Sequence, residues 1–326
     1  MLAAYAARLS PDDPLSALEV GERPEPTPPT DDWVAVTVTA ATLNHHDLWS
    51  LRGVGLRAEQ LPRVLGCDGA GVTDDGQEVV LHAVVADPGA GAGGDETLDP
   101  GFSILSETYD GTLAERVVVP RRNLVPRPPA LSAQEAACLP CAWLTAYRML
   151  FTRGGVRPGS RVLVQGAGGG VATAAIALAR AAGAVVFATS RDEAKLARAL
   201  ELGAHVAVPT GGRLPDRVDV VIETVGRATW AHSLKSLRPG GTVVVSGATS
   251  GADPSADLQR VFYRQIAVVG STMGTREELV ALLRFLEATG VRPVIDDVVP
   301  LAGVAGALRR MDSGDVFGKV VVLPGA

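Results

Sequence analysis

The stretch "NHHDLW", residues 44–49, places two histidines beside an aspartate in a chain that contains five histidines in all. Imidazole and carboxylate groups are common ligands of transition metals, and an imidazole can also exchange a proton near neutral pH. Asn44, His45, His46 and Asp47 therefore raise two possibilities: a metal site, or a metal-free site that handles protons.

Three cysteines, Cys67, Cys138 and Cys141, are the other candidates for metal or redox chemistry. An odd number in a chain of 326 residues argues against a disulfide framework, so reduced thiols are expected. Cys138 and Cys141 form a C-x-x-C pattern, but they lie in a predicted helix with Pro140 between them and outside a βαβ setting. This context disfavours a redox role for the pair.

The segment "RVLVQGAGGGVATAAIALARAAGA" runs from an apolar strand through a glycine cluster into a helix that begins with small residues. In a turn of this kind, backbone N–H groups and the positive end of the helix dipole hold a pyrophosphate. Gly166, Gly169 and Ala172 give the spacing G-x-x-G-x-x-A, and we assign Gly170 and Val171 to the same turn. The same residues also fit a turn that merely allows close packing of strand and helix.

The next strand ends in "ATSRDEAKLARA", at the distance where dinucleotide-binding folds recognise the ribose. An acidic residue there would accept hydrogen bonds from a free 2′-hydroxyl. Instead, Thr189, Ser190 and Arg191 occupy the position, and Lys195 follows one helical turn later. A hydroxyl and two cations suit a 2′-phosphate, which indicates NADP(H) as the cofactor. The alternative is a solvated helix start, because residues 192–193 are acidic.

Two patterns of hydrophobicity divide the chain. Residues 1 to about 120 contain short alternating runs such as "DWVAVTVTA" and "QEVVLHAVV", which are typical of antiparallel strands. From about residue 131, an apolar helix capped by Ser132 with Gln134 and Glu135 is followed by alternating strands and helices. This alternation predicts an α/β fold with a doubly wound parallel sheet.

The predicted strands of this second part are "SRVLVQG", "AVVFATS", "HVAVP", "VDVVIET", "GGTVVVSG" and "IAVVGST", with helices over 170–182 and 192–202. The closing "FGKVVVLP" has the pattern of the first part, so the chain is expected to return to the β domain. The Gly-rich, acidic stretch "ADPGAGAGGDETLDPG" is predicted to be a surface loop.

The composition excludes several classes of function. The chain has 47% hydrophobic residues, 20% charged residues and a net charge of −6, which is typical of a globular protein without a basic face for nucleic acid. Its start lacks the basic head and apolar core of a secretory signal, and no apolar run approaches the roughly 20 residues that span a bilayer. We therefore expect a cytoplasmic protein that acts on a small molecule and binds neither nucleic acid nor membrane.

Several motifs, in order along nearly the whole chain, resemble the medium-chain dehydrogenase/reductase superfamily and, within it, the quinone oxidoreductase and enoyl reductase branch. They are "LNHHDLWSLRG", "LPRVLGCDGAGV", "DGTLAERVVVP", "LTAYRML" and "FGKVVV". The resemblance implies a GroES-like β domain over 1–122, completed by about 270–326, and a Rossmann domain over 123–269 that binds NADP(H). It also implies a cofactor cleft between the domains and hydride transfer. We assign further cofactor contacts to Thr145, Gly247, Ala248, Thr249 and Lys319.

The zinc alcohol dehydrogenases of this superfamily allow a comparison of metal ligands. They have a cysteine at the position of Asn44, a histidine at that of Cys67 and a cysteine at that of Cys141. A neutral amide is a poor zinc ligand, so we expect no catalytic zinc. An alternative ligand set remains, in which the two thiols bind zinc together with Asp68 or His46.

The lobe that holds a second, structural zinc in those relatives corresponds to residues 84–106, which contain no cysteine, and this excludes the second metal. Asn44 is then expected to contact the nicotinamide ribose or the substrate carbonyl, and His45 or His46 to supply a proton. Either histidine could equally be a structural residue at a domain corner. Asp47 is expected to brace the loop.

We therefore expect an NADPH-dependent reductase that transfers hydride to a quinone or an α,β-unsaturated carbonyl compound (an enone, enal or enoyl substrate) without a metal, since the cofactor carries the difficult chemistry. Two alternatives remain: a zinc-dependent alcohol dehydrogenase that uses Cys67 and Cys141, and a non-catalytic relative that binds NADPH. The last Rossmann strands, "TVVVSGATS" and "IAVVGSTM", lack the Lys or Pro that protects a free sheet edge, so we expect a homodimer.

Overall fold

The computed structural model describes all residues, Met1–Ala326, and the chain divides into two compact units. The first unit comprises residues 1–142, 273–288 and 295–326, and the second comprises 143–272 and 289–294. The first unit extends beyond the expected boundary at residue 122, because a strand that follows this boundary pairs within the β-sheet of the first unit.

The chain forms eighteen strands and nine α-helices, numbered here in chain order. The strands are β1 Leu2–Ala6, β2 Leu18–Glu22, β3 Trp33–Thr42, β4 Arg63–Val64, β5 Asp68–Thr73, β6 Glu78–Leu81, β7 Val84–Val85, β8 Ser103–Ile104, β9 Arg116–Pro120, β10 Leu124–Pro126, β11 Arg161–Val164, β12 Val185–Ser190, β13 Val206–Pro209, β14 Val218–Glu223, β15 Leu237–Val245, β16 Ala267–Gly270, β17 Ile295–Pro300 and β18 Lys319–Leu323. The α-helices are α1 His45–Leu51, α2 Ala133–Ala137, α3 Leu144–Tyr147, α4 Gly170–Ala181, α5 Glu193–Glu201, α6 Arg227–Ser236, α7 Leu258–Arg264, α8 Arg276–Thr289 and α9 Val304–Asp312. None of these helices has the length and apolar character needed to cross a membrane.

The first unit is built on a mainly antiparallel, seven-stranded sheet in the order β10-β6-β5-β3-β18-β17, with β9 also paired to β3. β18 pairs antiparallel with β3 and parallel with β17, so the end of the chain joins this sheet as the hydrophobic pattern predicts. Alternating side chains of the sheet, such as Val38 and Val322, pack with Leu48 of α1 and Leu308 of α9 in one buried cluster. This packing positions α1, which carries the two adjacent histidines.

The second unit contains a six-stranded, fully parallel sheet in the order β13-β12-β11-β14-β15-β16. All six strands predicted from the apolar runs are present, and α4 and α5 match their predicted helices to within one residue at each end. The predicted fold class is thus confirmed. The strand order reverses between β11 and β14, and in such sheets ligands bind beyond the carboxyl ends of the strands at that point.

The apolar helix predicted after residue 131 begins as expected but is not continuous. Ser132 Oγ accepts from the N–H of Glu135 at 3.2 Å, and Glu135 Oε2 accepts from the N–H of Ser132 at 2.8 Å, which confirms the predicted cap. Two π-helical stretches, Leu139–Trp143 and Arg148–Arg153, then flank α3. Pro140 lacks an N–H and interrupts the regular hydrogen-bond ladder, so a single α-helix does not form.

Candidate functional site

The first unit buries a lysine among polar groups at the start of α1. Lys319 Nζ donates to the carbonyl oxygen of Leu43 at 2.8 Å, to Asn44 Oδ1 at 2.6 Å and to Asp68 Oδ2 at 3.0 Å. Lys319 is 2% exposed and Asp68 is 0% exposed. Burial alone would lower the pKa of Lys319, but the negative charge of Asp68 raises this pKa above its ordinary value, so the lysine remains an ammonium.

Both carboxylate oxygens of Asp68 are occupied by protein donors. Oδ2 accepts from Thr42 Oγ1 at 2.6 Å and from Asn44 Nδ2 at 2.7 Å, in addition to Lys319. Oδ1 accepts from the backbone N–H of Cys141 at 2.6 Å. The amide of Asn44 is therefore fixed, with its oxygen toward the lysine and its nitrogen toward the carboxylate. We call Asn44, Asp68 and Lys319 the ammonium cluster.

Two of the three cysteines lie beside the ammonium cluster. Cys67 is fully buried, and Cys141 is half-buried and packs in the same apolar cluster. A hydrogen bond with Cys141 and burial raise the pKa of Cys67 well above its ordinary value, so this thiol stays protonated. Cys138 interacts with the same cluster through charge: its Sγ donates to the carbonyl oxygen of Gln134 at 3.3 Å, and burial raises its pKa to about 12 against the effect of Lys319.

The residues present do not fit a catalytic zinc. Asn44 offers a neutral amide whose oxygen already accepts from an ammonium, and both oxygens of Asp68 are already hydrogen-bonded. No group of three or more His, Cys, Asp or Glu side chains is arranged to hold a metal ion. A divalent cation here would meet the positive charge of Lys319, with two thiols as its remaining ligands.

His45 and His46 begin α1 and have different environments. The ring of His46 is mostly buried, with Nε2 3.5 Å from Ser50 Oγ and 3.7 Å from Glu107 Oε1. Burial lowers the pKa of His46 to about 4, so this imidazole is neutral near pH 7. The side chain of His45 is exposed at its surface, but the protein atoms around the ring still displace part of its water. This desolvation, and to a smaller extent the charge of Lys319, lowers the pKa of His45 as well. His45 is the more accessible of the two for proton exchange.

Asp47 holds the loop that carries these residues. Its Oδ2 accepts from the N–H of Asn44 at 2.8 Å and its Oδ1 from the N–H of Gly66 at 2.9 Å, which ties the start of α1 to the segment before β5. Burial raises the pKa of Asp47 to about 6, against the effect of these two hydrogen bonds. Gly66 has a φ of +92°, and a Cβ there would lie 2.7 Å from Leu113 Cγ, so glycine is required.

In the second unit, the turn between β11 and α4 requires two glycines. Gly166 and Gly168 have φ of +71° and +137°. A Cβ on Gly166 would lie 2.7 Å from Val225 Cγ2, and one on Gly168 would lie 2.9 Å from Lys195 Cδ. Sequence spacing pointed to the first glycine but missed Gly168, because a run of three glycines does not reveal which of them adopts a positive φ.

The start of α4 has the free backbone donors of an anion site. Gly169 precedes the helix, and the first helical hydrogen bond runs from the N–H of Thr173 to the carbonyl oxygen of Gly169 at 2.9 Å. The N–H groups of Gly170 and Val171 therefore have no acceptor within the helix. Ala172 is buried, in keeping with the small residue that the pattern places there. These donors and the helix dipole suit a phosphate group.

Ser190, Arg191 and Lys195 lie at the carboxyl end of β12 and the start of α5. Ser190 Oγ accepts from the N–H of Asp192 at 3.1 Å, so its hydroxyl proton is available for a ligand. Asp192 caps α5 by accepting from the N–H groups of Ala194 and Lys195. Arg191 is exposed, and Lys195 Nζ lies 3.2 Å from the position of a Cβ on Gly168. The structure therefore brings one of the two predicted cations to the glycine turn.

The remaining predicted cofactor residues are placed as follows. Gly247, Ala248 and Thr249 follow β15, where the N–H of Thr249 donates to the carbonyl oxygen of Thr224 after β14 at 3.4 Å. They thus lie at the carboxyl edge of the parallel sheet. Thr145 is buried in α3 of the same unit. Lys319 belongs to the first unit, where its three hydrogen bonds are made within the ammonium cluster and to Leu43.

Sequence reasoning missed a buried polar network next to the glycine turn. Gln165 Oε1 accepts from Thr189 Oγ1 at 2.6 Å, and Gln165 Nε2 lies 2.9 Å from both His232 Nδ1 and Ser233 Oγ. Ser233 Oγ donates to the buried carboxylate of Glu223 at 2.5 Å. The signal that could have found this network is a Gln or Glu at the end of an apolar strand, in "VLVQG" and "VVIET".

Comparisons with known proteins agree with this architecture. The chain matches the alcohol dehydrogenase GroES-like domain over residues 30–129 and the zinc-binding dehydrogenase family over residues 170–288. It is similar to the acryloyl-coenzyme A reductase of Sulfurisphaera tokodaii, with 30% identity over 332 residues that cover 95% of this chain and 98% of that protein.

Two solved structures are similar over nearly the whole chain. An NAD-dependent alcohol dehydrogenase superposes with a TM-score of 0.91 at 37% identity and covers 100% of both chains. The 2-octenoyl-CoA carboxylase reductase CinF, solved in complex with NADP and 2-octenoyl-CoA, superposes with a TM-score of 0.90 at 28% identity and covers 99% of this chain and 87% of that one. The relatives thus include both alcohol dehydrogenases and reductases of conjugated thioesters.

Proposed function

This chain belongs to the medium-chain dehydrogenase/reductase superfamily, and from that membership we propose that it transfers a hydride from NADPH to a quinone or an α,β-unsaturated carbonyl compound without a metal. The observation that carries the proposal is the ammonium cluster, in which Lys319 engages Asn44 and Asp68. A conjugated acceptor suits such a site, because its electron-poor carbon accepts hydride without a Lewis acid.

The glycine turn and the start of α5 support the choice of NADPH. NADPH bound at this turn would supply the hydride. The N–H groups of Gly170 and Val171 would hold the pyrophosphate, and Ser190, Arg191 and Lys195 would hold the 2′-phosphate. Among the relatives, CinF was solved with NADP and the alcohol dehydrogenase is described as NAD-dependent, so the preference rests on this chain's own residues.

In the first unit, Asn44 and His45 would act on the acceptor. The second N–H proton of Asn44 has only weak partners, the carbonyl oxygen of Thr42 at 3.5 Å and Cys67 Sγ at 3.6 Å, and would donate to the acceptor oxygen. Hydride addition at the β-carbon leaves an enolate, which takes a proton at its α-carbon. His45, which is exposed, would deliver that proton or relay one from solvent.

Enoyl thioesters are the acceptors to test first, because the relatives include an acryloyl-coenzyme A reductase and a structure with bound 2-octenoyl-CoA. The experiment measures NADPH oxidation with enoyl thioesters, enones, enals and quinones, in the presence of a chelator. We expect turnover of at least one conjugated class and no oxidation of simple alcohols with NADP⁺. Alcohol oxidation that the chelator abolishes would exclude the proposal.

A zinc-dependent alcohol dehydrogenase is the alternative function. It is favoured by the adjacent thiols of Cys67 and Cys141 and by the similarity to an alcohol dehydrogenase structure. A second alternative is a non-catalytic protein that binds NADPH. Tight NADPH binding without turnover of any acceptor in the panel would favour it.

We also propose that the protein is a homodimer through the β16 edge of the parallel sheet. β16 ends the strand order, and Val268 in this strand is 50% exposed. In the preceding helix, α7, Leu258, Phe262 and Tyr263 are each more than two-thirds exposed, at 71%, 69% and 77%. An unprotected edge strand that follows such an apolar surface is suited to pair with a second copy.

A further inference from the structure

The hydrogen-bond directions in the buried network of the second unit follow from one carbonyl group. His232 Nε2 lies 2.9 Å from the carbonyl oxygen of Gly212, which can only accept, so Nε2 carries the proton. A neutral His232 then has an acceptor at Nδ1, and Gln165 must present its NH₂ group to that nitrogen at 2.9 Å. Burial lowers the pKa of His232, which favours the neutral ring.

The orientation of Gln165 determines what Thr189 can do. Gln165 Oε1 faces Thr189, whose hydroxyl donates to it at 2.6 Å. The lone pairs of that hydroxyl are then available to the N–H of Gly166 at 3.3 Å, and the Thr189 carbonyl accepts from the N–H of Ala167 at 2.7 Å. Thr189 therefore holds the first two N–H groups of the glycine turn, and those further along remain for a ligand.

The same amide also faces a second turn. Gln165 Nε2 donates to Ser233 Oγ at 2.9 Å, and Ser233 donates to Glu223 Oε2. Glu223 Oε1 accepts from the N–H groups of Val225 and Gly226, after β14, at 2.8 and 3.0 Å. Because a carboxylate only accepts, Ser233 cannot reverse its direction, and the Gln165 amide cannot turn without losing this bond.

We propose that Gln165 is a positioning residue for dinucleotide binding that transmits the protonation state of His232 to the glycine turn. This inference rests on the proposed cofactor site. A protonated His232 would direct an N–H at the NH₂ group of Gln165, so the two groups would repel or the amide would turn. Turning the amide reverses its bond with Thr189 and leaves Ser233 without its donor. Either response disturbs the backbone that presents N–H groups to the pyrophosphate.

Two charged groups act on the His232 ring. The carboxylate of Glu223, on β14, favours the imidazolium, and Lys235, on the same helix as His232, disfavours it. The other groups that contact the ring, Gly212, Gln165 and Ser236, are uncharged. Protonation of His232 at Nδ1 is therefore the event that disturbs the Gln165 amide. Because acidification adds this proton, it should weaken cofactor binding.

The test is isothermal titration calorimetry of the full chain with NADP⁺ between about pH 7.5 and about pH 5, a range that extends below the ordinary histidine pKa because burial lowers that of His232. We expect the affinity to fall roughly threefold to tenfold through loss of one internal hydrogen bond. The ligand's own 2′-phosphate titrates near pH ~6, so the comparison is with His232→Asn. Its Oδ1 can accept from Gln165 without titrating, and this variant should lose that part of the pH dependence.

His205→Asn is the matched control. His205 lies near the amino end of β12, where its Nδ1 accepts from the N–H of Val186 at 3.0 Å, and this variant should keep the wild-type pH dependence. In Gln165→Glu the change of NADP⁺ affinity with pH should have the opposite sign. The carboxylate of the new side chain can pair only with a protonated His232, so the affinity of this variant should rise on acidification. General destabilisation would not produce such a reversal.

The outcomes separate the two proposals. If the wild-type protein does not bind NADP⁺ at any pH tested, the proposed cofactor site is wrong, and this inference is then wrong as well. If NADP⁺ binds and His232→Asn shows the wild-type pH dependence, or if Gln165→Glu shows no reversal, the inference alone is overturned. A histidine titration followed by NMR without cofactor gives an independent check, because the pKa of His232 should rise in Gln165→Glu.

Discussion

Lys319 Nζ and Asp68 Oδ2 lie 3.0 Å apart, and both side chains are buried. The pair joins the first residue of β18 to the first residue of β5 across the sheet of the first unit. Removing one partner of a buried ion pair leaves an uncompensated charge, which costs more than the pair itself contributes. The stability of the first unit should therefore depend on keeping both residues or neither.

Lys319→Met is expected to lower the free energy of unfolding by about 3–5 kcal/mol. Addition of Asp68→Asn to this variant should restore part of the loss, because the unpaired carboxylate is then neutral. Urea unfolding at neutral pH measures both effects. Arg116→Met, which breaks a surface pair with Asp74, is the control and should cost about 1 kcal/mol or less. An additive double variant would show that the two side chains do not interact.

The purified protein should contain no stoichiometric zinc, and its reductase activity should persist in a chelator. The reason is ligand chemistry: Asn44 and Asp68 are bonded to an ammonium, and a catalytic zinc needs about three protein ligands. Metal analysis by mass spectrometry measures the zinc content. A value near one zinc per chain, lost together with activity in Cys67→Ser, would move the protein to the alcohol dehydrogenases.

NADPH should exceed NADH in kcat/KM by about tenfold or more, because each charged hydrogen bond to the 2′-phosphate contributes roughly 1.5–3 kcal/mol. Arg191→Ala should remove much of this preference while leaving kcat/KM with NADH nearly unchanged. Arg198→Ala, in the last turn of α5, is the control and should behave like the wild type. Equal use of both cofactors by the wild type would contradict the assignment of Ser190, Arg191 and Lys195.

His46 should make the protein less stable in acid. Its pKa is about 4 in the folded chain against an ordinary 6.5, so between these values the unfolded state binds more protons. The free energy of unfolding should therefore fall as the pH drops from 6.5 toward 4, by at most about 2–3 kcal/mol, because the ring is partly exposed. His46→Gln should lack this loss.

Asp47 should raise the free energy of unfolding as the pH falls, which opposes the effect of His46. The pKa of Asp47 is raised from 3.8 to about 6, so its protonation favours the folded state over that range. The quantity to measure is therefore the difference between wild type and His46→Gln in urea unfolding at several pH values. Identical pH profiles for wild type and His46→Gln would exclude a buried, neutral His46.

Light scattering at micromolar concentration should give the mass of two chains. Val268→Lys places a charge on the exposed edge strand β16 and should shift the protein toward the monomer, because an edge lysine opposes strand pairing. Val20→Lys, at a comparably exposed position on β2 of the first unit, is the control and should leave the mass unchanged. A wild-type monomer would contradict the proposed dimer.

The second unit was largely predictable because each of its six strands is a contiguous apolar run between helices. The capping box of Ser132 and Glu135 was predictable as well, since both residues lie within one turn. Such features depend on neighbours in sequence. The continuous helix predicted after residue 131 was wrong because the effect of Pro140 on the hydrogen-bond ladder was not taken into account.

The ammonium cluster could not be predicted, because Lys319 meets Asn44 and Asp68 across 275 and 251 residues of chain. A lysine at the start of a strand is ordinarily exposed, so its type gave no sign of burial. The network around Gln165 was missed for a similar reason: its partner His232 comes from α6, 67 residues later. The local pattern of residue types determines which helices and strands form, whereas these contacts depend on how distant helices and strands pack.

The position of β18 between β3 and β17 has a consequence for biosynthesis. On the ribosome, residues 143–272 emerge well before residues 319–323, so most of the second unit can fold while the first still lacks a strand of its sheet. During that interval the backbone of Ala41 and Thr42, which pairs with β18 in the finished protein, is open to other nascent chains. Translation of residues 319–323 is thus the event that closes the sheet of the first unit.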